Sequence, residues 1–229
     1  MDNGENQLIA NLPGKDRAHL LNKCALIPLP LGQVLSESDV AMQALYFPVS
    51  GLISVLARVP NNPDLEIGMV GREGLFGLPF ALGLTSSRIH ASVQVPGDAW
   101  RITAQAFREE LQGNIGLQLS LNRYLHVVIE QLQVSCVCLR FHTIGERLAT
   151  WLLTSLDRSN ASELPVTQEL IATMLGVRRV GISTAANLFR QKGLIEYNRG
   201  RLTVLNRTGL EQVACNCYAQ SLRIYKEVL

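Results

Sequence analysis

Residues 167–192, TQELIATMLGVRRVGISTAANLFRQK, constrain this chain more than any other stretch. Ile171, Leu175, Val177, Ile182 and Ala185 are spaced for two short helices that share one apolar side. Ala172 falls where two crossed helices come closest, and a larger side chain there would push them apart. Gly176 sits at the turn between them, where a left-handed backbone costs glycine little. Thr167 brings a hydroxyl to cap the first helix. A helical hairpin in any core would use the same apolar spacing, but the joint fit of Ala172 and Gly176 predicts a helix-turn-helix. The second helix of that motif lies in the DNA major groove.

The charge distribution agrees. Net charge is only +2, yet residues 1–140 carry 10 Lys and Arg against 12 Asp and Glu, and residues 141–229 carry 11 against 7. Between Arg178 and Arg207 there are seven positive residues and one negative, Glu196. Basic charge gathered on and just after the second helix is the footprint expected for phosphate binding.

The chain has 229 residues, enough for one large or two modest domains. With 47% hydrophobic and 17% charged residues it reads as folded rather than disordered. No run approaches the roughly 18 apolar residues of a membrane span. The start, MDNGENQ, lacks the pattern of a secretory signal, so a cytoplasmic protein without a membrane partner is expected.

After a short helix near Ala18 to Cys24, the pieces LGQVL, ALYFPVSGLISVLARV, LEIGMVG, HASVQV and AWRITA are β-rich and separated by turn residues. Asn61-Asn62-Pro63-Asp64 and Pro96-Gly97-Asp98 read as hairpin tips. An antiparallel roll or barrel of jelly-roll type is predicted over about residues 28–103. Residues 70–88 interrupt it with Gly71, Gly74 and Gly77, then Arg88. Glycines so spaced form the corners of a roll or, less often, an effector loop that cradles a phosphate with backbone amides.

From Gln105 the pattern is helical. A short helix, Ala106 to Gln112, leads past Gly113-Asn114 into a long one ending near Leu139. Leu121, Leu125, Val128, Leu132, Ser135 and Leu139 step by four and three, which is a coiled-coil seam for a homodimer. Val127, Ile129 and Val134 leave the helix apolar off the seam, for packing on the roll. Thr143 and Glu146 form a capping box for the next helix, whose Ile144, Leu148, Trp151, Leu152 and Leu156 back the helix-turn-helix. After Gly193, two strands around Asn198-Arg199-Gly200 make a wing, and Thr208 and Glu211 cap a last helix running to Val228. Leu210, Val213, Cys217 and Tyr218 would dock that helix on the body.

The five cysteines are Cys24, Cys136, Cys138, Cys215 and Cys217. An odd count argues against a disulfide framework. Both Cys-x-Cys pairs fall in helical patterns, where residues two apart point in different directions, so buried thiols are expected and no metal site. His19, His90, His126 and His142 are scattered, and no nucleophile–base pair, HExxH or P-loop occurs, so the chain does not read as an enzyme.

A roll, a long dimer helix and a winged helix in that order resemble the Crp–Fnr family of bacterial transcription regulators. The resemblance runs from about residue 18 to 212 and is most specific in TQELIATMLGVRRVGISTAANLFRQKGLI and RGRLTVLNR. It implies an α+β chain: a cyclic-nucleotide-binding-like β-roll at 18–112, a dimerisation helix at 113–140 and a winged helix-turn-helix at 141–212. A helical extension follows at 213–229. Phe76-Gly77 and Ala91-Ser92-Val93 sit where the family's cyclic-nucleotide cassette has similar residues. Family members that bind the nucleotide have Glu after the Phe-Gly and Arg two residues before the Ala. Here those places hold Leu78 and Ile89, with Arg88 one position off and on the opposite strand face. Binding of cyclic AMP in the family manner is therefore not expected. The resemblance implies that an iron–sulfur cluster of the family type would use several N-terminal cysteines, of which Cys24 alone is present, and no spacing around His19 or His90 supports haem.

The resemblance places base reading at Arg179, Val180 and Thr184. Arg179 is suited to guanine O6 and N7, and Val180, standing where a glutamate is usual, to a thymine methyl. Gly181 is a poor helix former and allows close backbone approach. Ser183 and Asn187 share the outer face with Arg179. Thr167, Gln168, Arg178, Arg199 and Arg201 are candidates for phosphate contacts. The expected protein is a homodimeric, sequence-specific regulator on a near-palindromic operator, with RNA polymerase as a further partner. The alternative is a small-molecule sensor whose winged helix mediates protein interaction.

Overall fold

The computed structural model describes residues 5–58, 61–86 and 88–229. Two short helices, α1 (Gln7–Ala10) and α2 (Gly14–Leu21), lead into strands β1 (Ala25–Leu29), β2 (Val34–Ser36), β3 (Ala44–Pro48), β4 (Leu52–Ala57) and β5 (Leu65–Val70). Helix α3 (Leu78–Ala81) interrupts them before β6 (Ile89–Val95) and β7 (Gly97–Thr103). The strands form two antiparallel sheets, ordered β1-β7-β3 and β2-β6-β4-β5. Their inward residues, among them Phe47, Ile53, Phe76, Val93 and Ile102, make the roll core together with Leu20, Phe107 and Leu121.

The predicted tip at 61–64 lies in the β4–β5 hairpin. The one at 96–98 does not close a hairpin: β6 and β7 belong to different sheets, so Pro96 marks a corner where the chain crosses between them. Beyond the roll, Thr103 accepts a hydrogen bond from Ala106 N and caps α4 (Ala104–Gly113). Asn114 does the same through Leu117 N for α5 (Ile115–Phe141). The predicted capping box is present, with Thr143 and Glu146 opening α6 (Ile144–Ser159).

A short strand β8 (Glu163–Leu164) is followed by α7 (Gln168–Leu175), α8 (Arg179–Gln191), β9 (Ile195–Asn198) and β10 (Arg201–Val204). The chain ends in α9 (Arg207–Val213) and α10 (Asn216–Val228). The last two replace the single final helix expected from Thr208. Asn206, not Thr208, accepts from Gly209 N at the start of α9, and the extended backbone at Ala214 and Cys215 separates the two helices.

α10 lies against α5 rather than free in solvent. Val127 and Val134, expected to meet the roll, instead pack with Ile224, Cys215 and Cys217. Leu121 is buried in the roll core, which removes it from any open seam. The apolar residues of α5 that remain exposed include Ile129, Leu132 and Leu139, with Leu125 and Val128 half-buried beside them. No helix among the described residues is long and apolar enough to cross a membrane.

Candidate nucleic-acid interface

Helices α7 and α8 cross over a shared core. Ile171, Ala172, Leu175, Ile182, Ala185 and Phe189 are buried there with Leu148, Trp151 and Leu152 of α6. Thr167 caps α7 by accepting from Leu170 N at 3.1 Å. Gly176 ends it with φ 61°, the left-handed conformation that glycine tolerates. A Cβ at Gly176 would also lie 2.8 Å from Leu65 Cδ1, so the turn leans on β5 of the roll. At the same end, the buried Arg147 guanidinium donates to the Leu175 carbonyl, one of the orphan acceptors at a helix C-terminus.

What α8 buries on one side leaves the other side open. Arg179, Val180, Thr184 and Asn187 are exposed, Val180 to 70%. An exposed valine on a helix held down by four buried side chains costs solubility without helping the fold. Arg179 is also open, and its Nε stands 3.5 Å from Glu169 Oε2. Ser183 is half-buried and donates to Gln168 Oε1 at 2.6 Å, so these two polar residues fasten α8 to α7. Thr184 Oγ1 donates back to the Val180 carbonyl at 2.9 Å. Arg178 is exposed and immediately precedes the first turn of α8, where the helix dipole and a cation both favour an anion.

Gly181 meets a neighbour within the protein. A Cβ there would come within 2.6 Å of Ile144 Cδ1. The close approach it allows is between α8 and the start of α6.

The wing follows directly. β9 and β10 pair from Ile195↔Val204 to Asn198↔Arg201, and β8 adds a third strand beside β10. Arg199 and Gly200 both have positive φ, 47° and 82°, the pattern of a two-residue type I′ hairpin turn. Arg199 is therefore held at the very tip. Arg201 is exposed beside it and pairs with Glu163.

Residues 146–213 match the family model for the Crp-like helix-turn-helix domain. The chain carries a Crp-like helix-turn-helix domain, and its fold is similar to that of solved Crp/Fnr-family regulators. Among solved structures, FixK2 from Bradyrhizobium japonicum is 15% identical, with a TM-score of 0.69 over 84% of this chain and 98% of that one. A CRP-family transcriptional regulator from Thermus thermophilus is 20% identical, with a TM-score of 0.68 over 82% and 96%. The c-di-GMP responsive global regulator CLP of Xanthomonas campestris is 13% identical, with a TM-score of 0.66 over 84% and 99%. No curated protein sequence matches the chain significantly.

The Crp-like domain is bound to the roll by more than the connecting helix. Its hydrophobic cluster includes Leu52, Leu56 and Val95 of the roll. Gly51 N donates to the Ser159 carbonyl at 3.1 Å, and Arg158 Nη1 to the Met69 carbonyl at 2.7 Å. Trp151 Nε1 donates to Glu66 Oε1, and Ser54 Oγ to Glu66 Oε2. Burial pushes the Glu66 carboxyl up to about 7, against the opposing pull of those two hydrogen bonds and of Arg158. Sequence reasoning missed Glu66, Arg147 and Arg158. A lone charge in a strand or an amphipathic helix gives no sign of which distant segment will cover it.

Close packing accounts for the glycines at 71, 74 and 77. A Cβ on Gly71 would strike the Arg158 backbone, one on Gly74 the Tyr124 hydroxyl, and one on Gly77, at φ 115°, Leu45. The amide of Gly71 already donates to the Glu73 carboxylate at 3.1 Å, and a second anion there would be repelled. Arg88 is exposed, away from these amides in its contacts: its carbonyl accepts from Ser38.

A cavity of about 220 Å³ does lie between the roll and α5. Leu78 and Ile89 line it, with Tyr124, Val128, Arg158 and Tyr225 of α10. The Arg158 guanidinium lies 5.0 Å from the Tyr225 ring centre and 3.7 Å from Glu73 Oε1. His19 and His90 are engaged by carboxylates, His19 Nδ1 with Glu110 at 2.6 Å and His90 Nδ1 with Glu37 at 3.3 Å.

Proposed function

We propose that this chain is a sequence-specific transcription regulator that binds DNA as a homodimer and does not respond to cyclic AMP in the family manner. The observation that carries the reading is the open face of α8. Arg179, Val180, Thr184 and Asn187 are presented together, while Ile182, Ala185, Ala186 and Phe189 hold the helix to the body. Arg179 reads guanine through two hydrogen bonds after leaving Glu169, and Val180 and Thr184 contact neighbouring base edges. Arg178, Arg199 and Arg201 hold phosphates, joined by Thr167 and Gln168 at the start of α7. Ser183 contributes mainly by fixing Gln168.

The dimer forms through Leu125, Val128, Ile129, Leu132 and Leu139 of α5. Ile129, Leu132 and Leu139 of this apolar stripe are exposed, and Leu125 and Val128 are half-buried at its edge, Val128 against the roll core. Two copies then present α8 to half-sites an integral number of turns apart, with RNA polymerase as the protein partner at the promoter. Against family-type cyclic AMP stand Leu78 and Ile89, which offer the cavity neither a ribose acceptor nor a phosphate partner. Arg158 lines the cavity, but Glu73 and the Met69 carbonyl already hold it.

Selection of bound sequences from random DNA, with and without cyclic AMP, tests all three parts. The expected product is one inverted-repeat site, enriched equally in both arms. Enrichment only with cyclic AMP, or of an unrepeated site, would overturn the corresponding part.

A further inference from the structure

Four potential metal ligands from two distant segments meet where α5 ends and α10 begins. Cys138 and His142 come from the last turn and cap of α5, and Cys215 and Cys217 from the cap and first turn of α10. Cys138 Sγ lies 3.6 Å from Cys215 Sγ, and Cys217 Sγ lies 3.5 Å from His142 Nδ1. All four ligand atoms fall within 4.8 Å of one another. Tetrahedral zinc, with Zn–S near 2.3 Å and Zn–N near 2.0 Å, needs neighbouring ligands about 3.5–3.8 Å apart. Polynuclear clusters spread their thiolates wider, because several metal atoms stand between them.

We propose that Cys138, His142, Cys215 and Cys217 form a closed Cys3His site for a single zinc-type ion. The surroundings suit it. Cys215 and Cys217 are buried, and Cys138 and His142 half-buried, so the four ligands leave no open position for a substrate. Binding releases the three thiol protons and leaves a dication with three thiolates, a net charge of −1. A cation is at hand to balance it: Arg147, itself buried, lines the same cavity as Cys138 and Cys217. Thr150 Oγ1 stands 3.2 Å from Cys215 Sγ and donates to the thiolate, the outer hydrogen bond that orients a ligand. The break between α9 and α10, which no glycine or proline in the sequence announces, is what brings Cys215 and Cys217 to the end of α5. The ion thus fastens α10 to the helix that enters the Crp-like domain, and Cys136, exposed on the outer side of α5, takes no part.

Full-length protein purified under reductant, without chelator, should carry about one zinc per chain by elemental mass spectrometry. Cobalt(II) exchanged into it should show thiolate charge-transfer absorption and the intense visible bands of a tetrahedral ion. Cys138→Ser and Cys217→Ser should lose stoichiometric metal, and Cys136→Ser should keep it. Thr150→Val, with all four ligands intact, should weaken zinc about 10-fold in competition with a chromophoric chelator. Wild-type protein that neither retains zinc nor gives the cobalt spectrum overturns the assignment, whatever the variants do. So does equal loss in Cys136→Ser, or a Cys138–Cys215 disulfide in freshly isolated, metal-free protein. None of these readouts involves DNA, so they stand or fall apart from the regulator reading.

Discussion

The indole of Trp151 donates to Glu66 Oε1 at 3.1 Å, across the boundary between the Crp-like domain and the roll. Trp151 is also part of the core that supports α7 and α8, so the bond links a strand of the roll to the scaffold of α8. Its acceptor is a carboxylate that burial makes reluctant to ionise.

Stability should therefore fall as pH rises through the Glu66 window. The carboxyl titrates near 4.5 in an unfolded chain and near 7 in the folded one. Below about pH 4.5 both states hold the proton. Between these values the folded state keeps a proton that the unfolded chain has released, so its advantage shrinks with each step upward until pH 7. Glu66→Gln keeps an acceptor for Trp151 and cannot ionise. Urea titrations at pH 5, 6, 7 and 8 should show a flatter profile for the variant and greater stability than wild type at pH 8. Parallel profiles would remove Glu66 as the cause.

Arg179→Ala should cost about 1–3 kcal/mol at the selected operator and relax preference at one base position. Arg199→Ala, at the wing tip, should weaken operator and random DNA alike and reduce the salt slope by about one. Gel-shift titrations over a salt series distinguish the two. An Arg179→Ala protein that binds its operator as tightly as wild type would end the base-reading role.

Gly181 and Ile144 should be energetically coupled. Alanine in a helix gains about 1 kcal/mol over glycine, but here its Cβ would press on Ile144 Cδ1. In the wild-type background the gain should be reduced or reversed. With Ile144→Val, which removes that methyl, Gly181→Ala should recover most of it. Denaturation of the four proteins gives the coupling, and a zero coupling energy would mean that α6 yields freely.

Leu132→Asp should leave the fold intact, because Leu132 is 42% exposed, yet abolish the dimer. Analytical ultracentrifugation should find a monomer with an unchanged circular dichroism spectrum and much weaker operator binding. Persistence of the dimer would move the interface off α5.

The Crp-like domain was largely legible in the sequence because its determinants are local. Ile171, Ala172, Gly176, Ile182 and Ala185 lie within one short stretch, and each occupies the core or turn position that its spacing implies. The roll was legible as a class, though not its corner at Pro96, because the alternation of a strand does not say which sheet it joins. What escaped was set by packing between distant segments. Val127 and Val134 are apolar toward α10, not the roll, and nothing in the period of α5 separates those two outcomes. Cys138 and Cys215 are 77 residues apart, and their meeting depends on a helix break at Ala214 that carries neither glycine nor proline.

The placement of α10 also bears on how the molecule is made. Tyr225 and Leu229 pack on the roll core, and the Leu229 carbonyl accepts from Asn11 Nδ2, 218 residues away in sequence. Contacts of such long range close a loop that spans nearly the whole chain, and such contacts tend to form late in folding. The roll core is thus completed by residues from the far end of the chain. A fragment ending after α5 would keep that helix on the roll but still expose the apolar surface that Tyr225 and Leu229 cover, so truncation from the C-terminal side should be felt at the opposite end of the sequence.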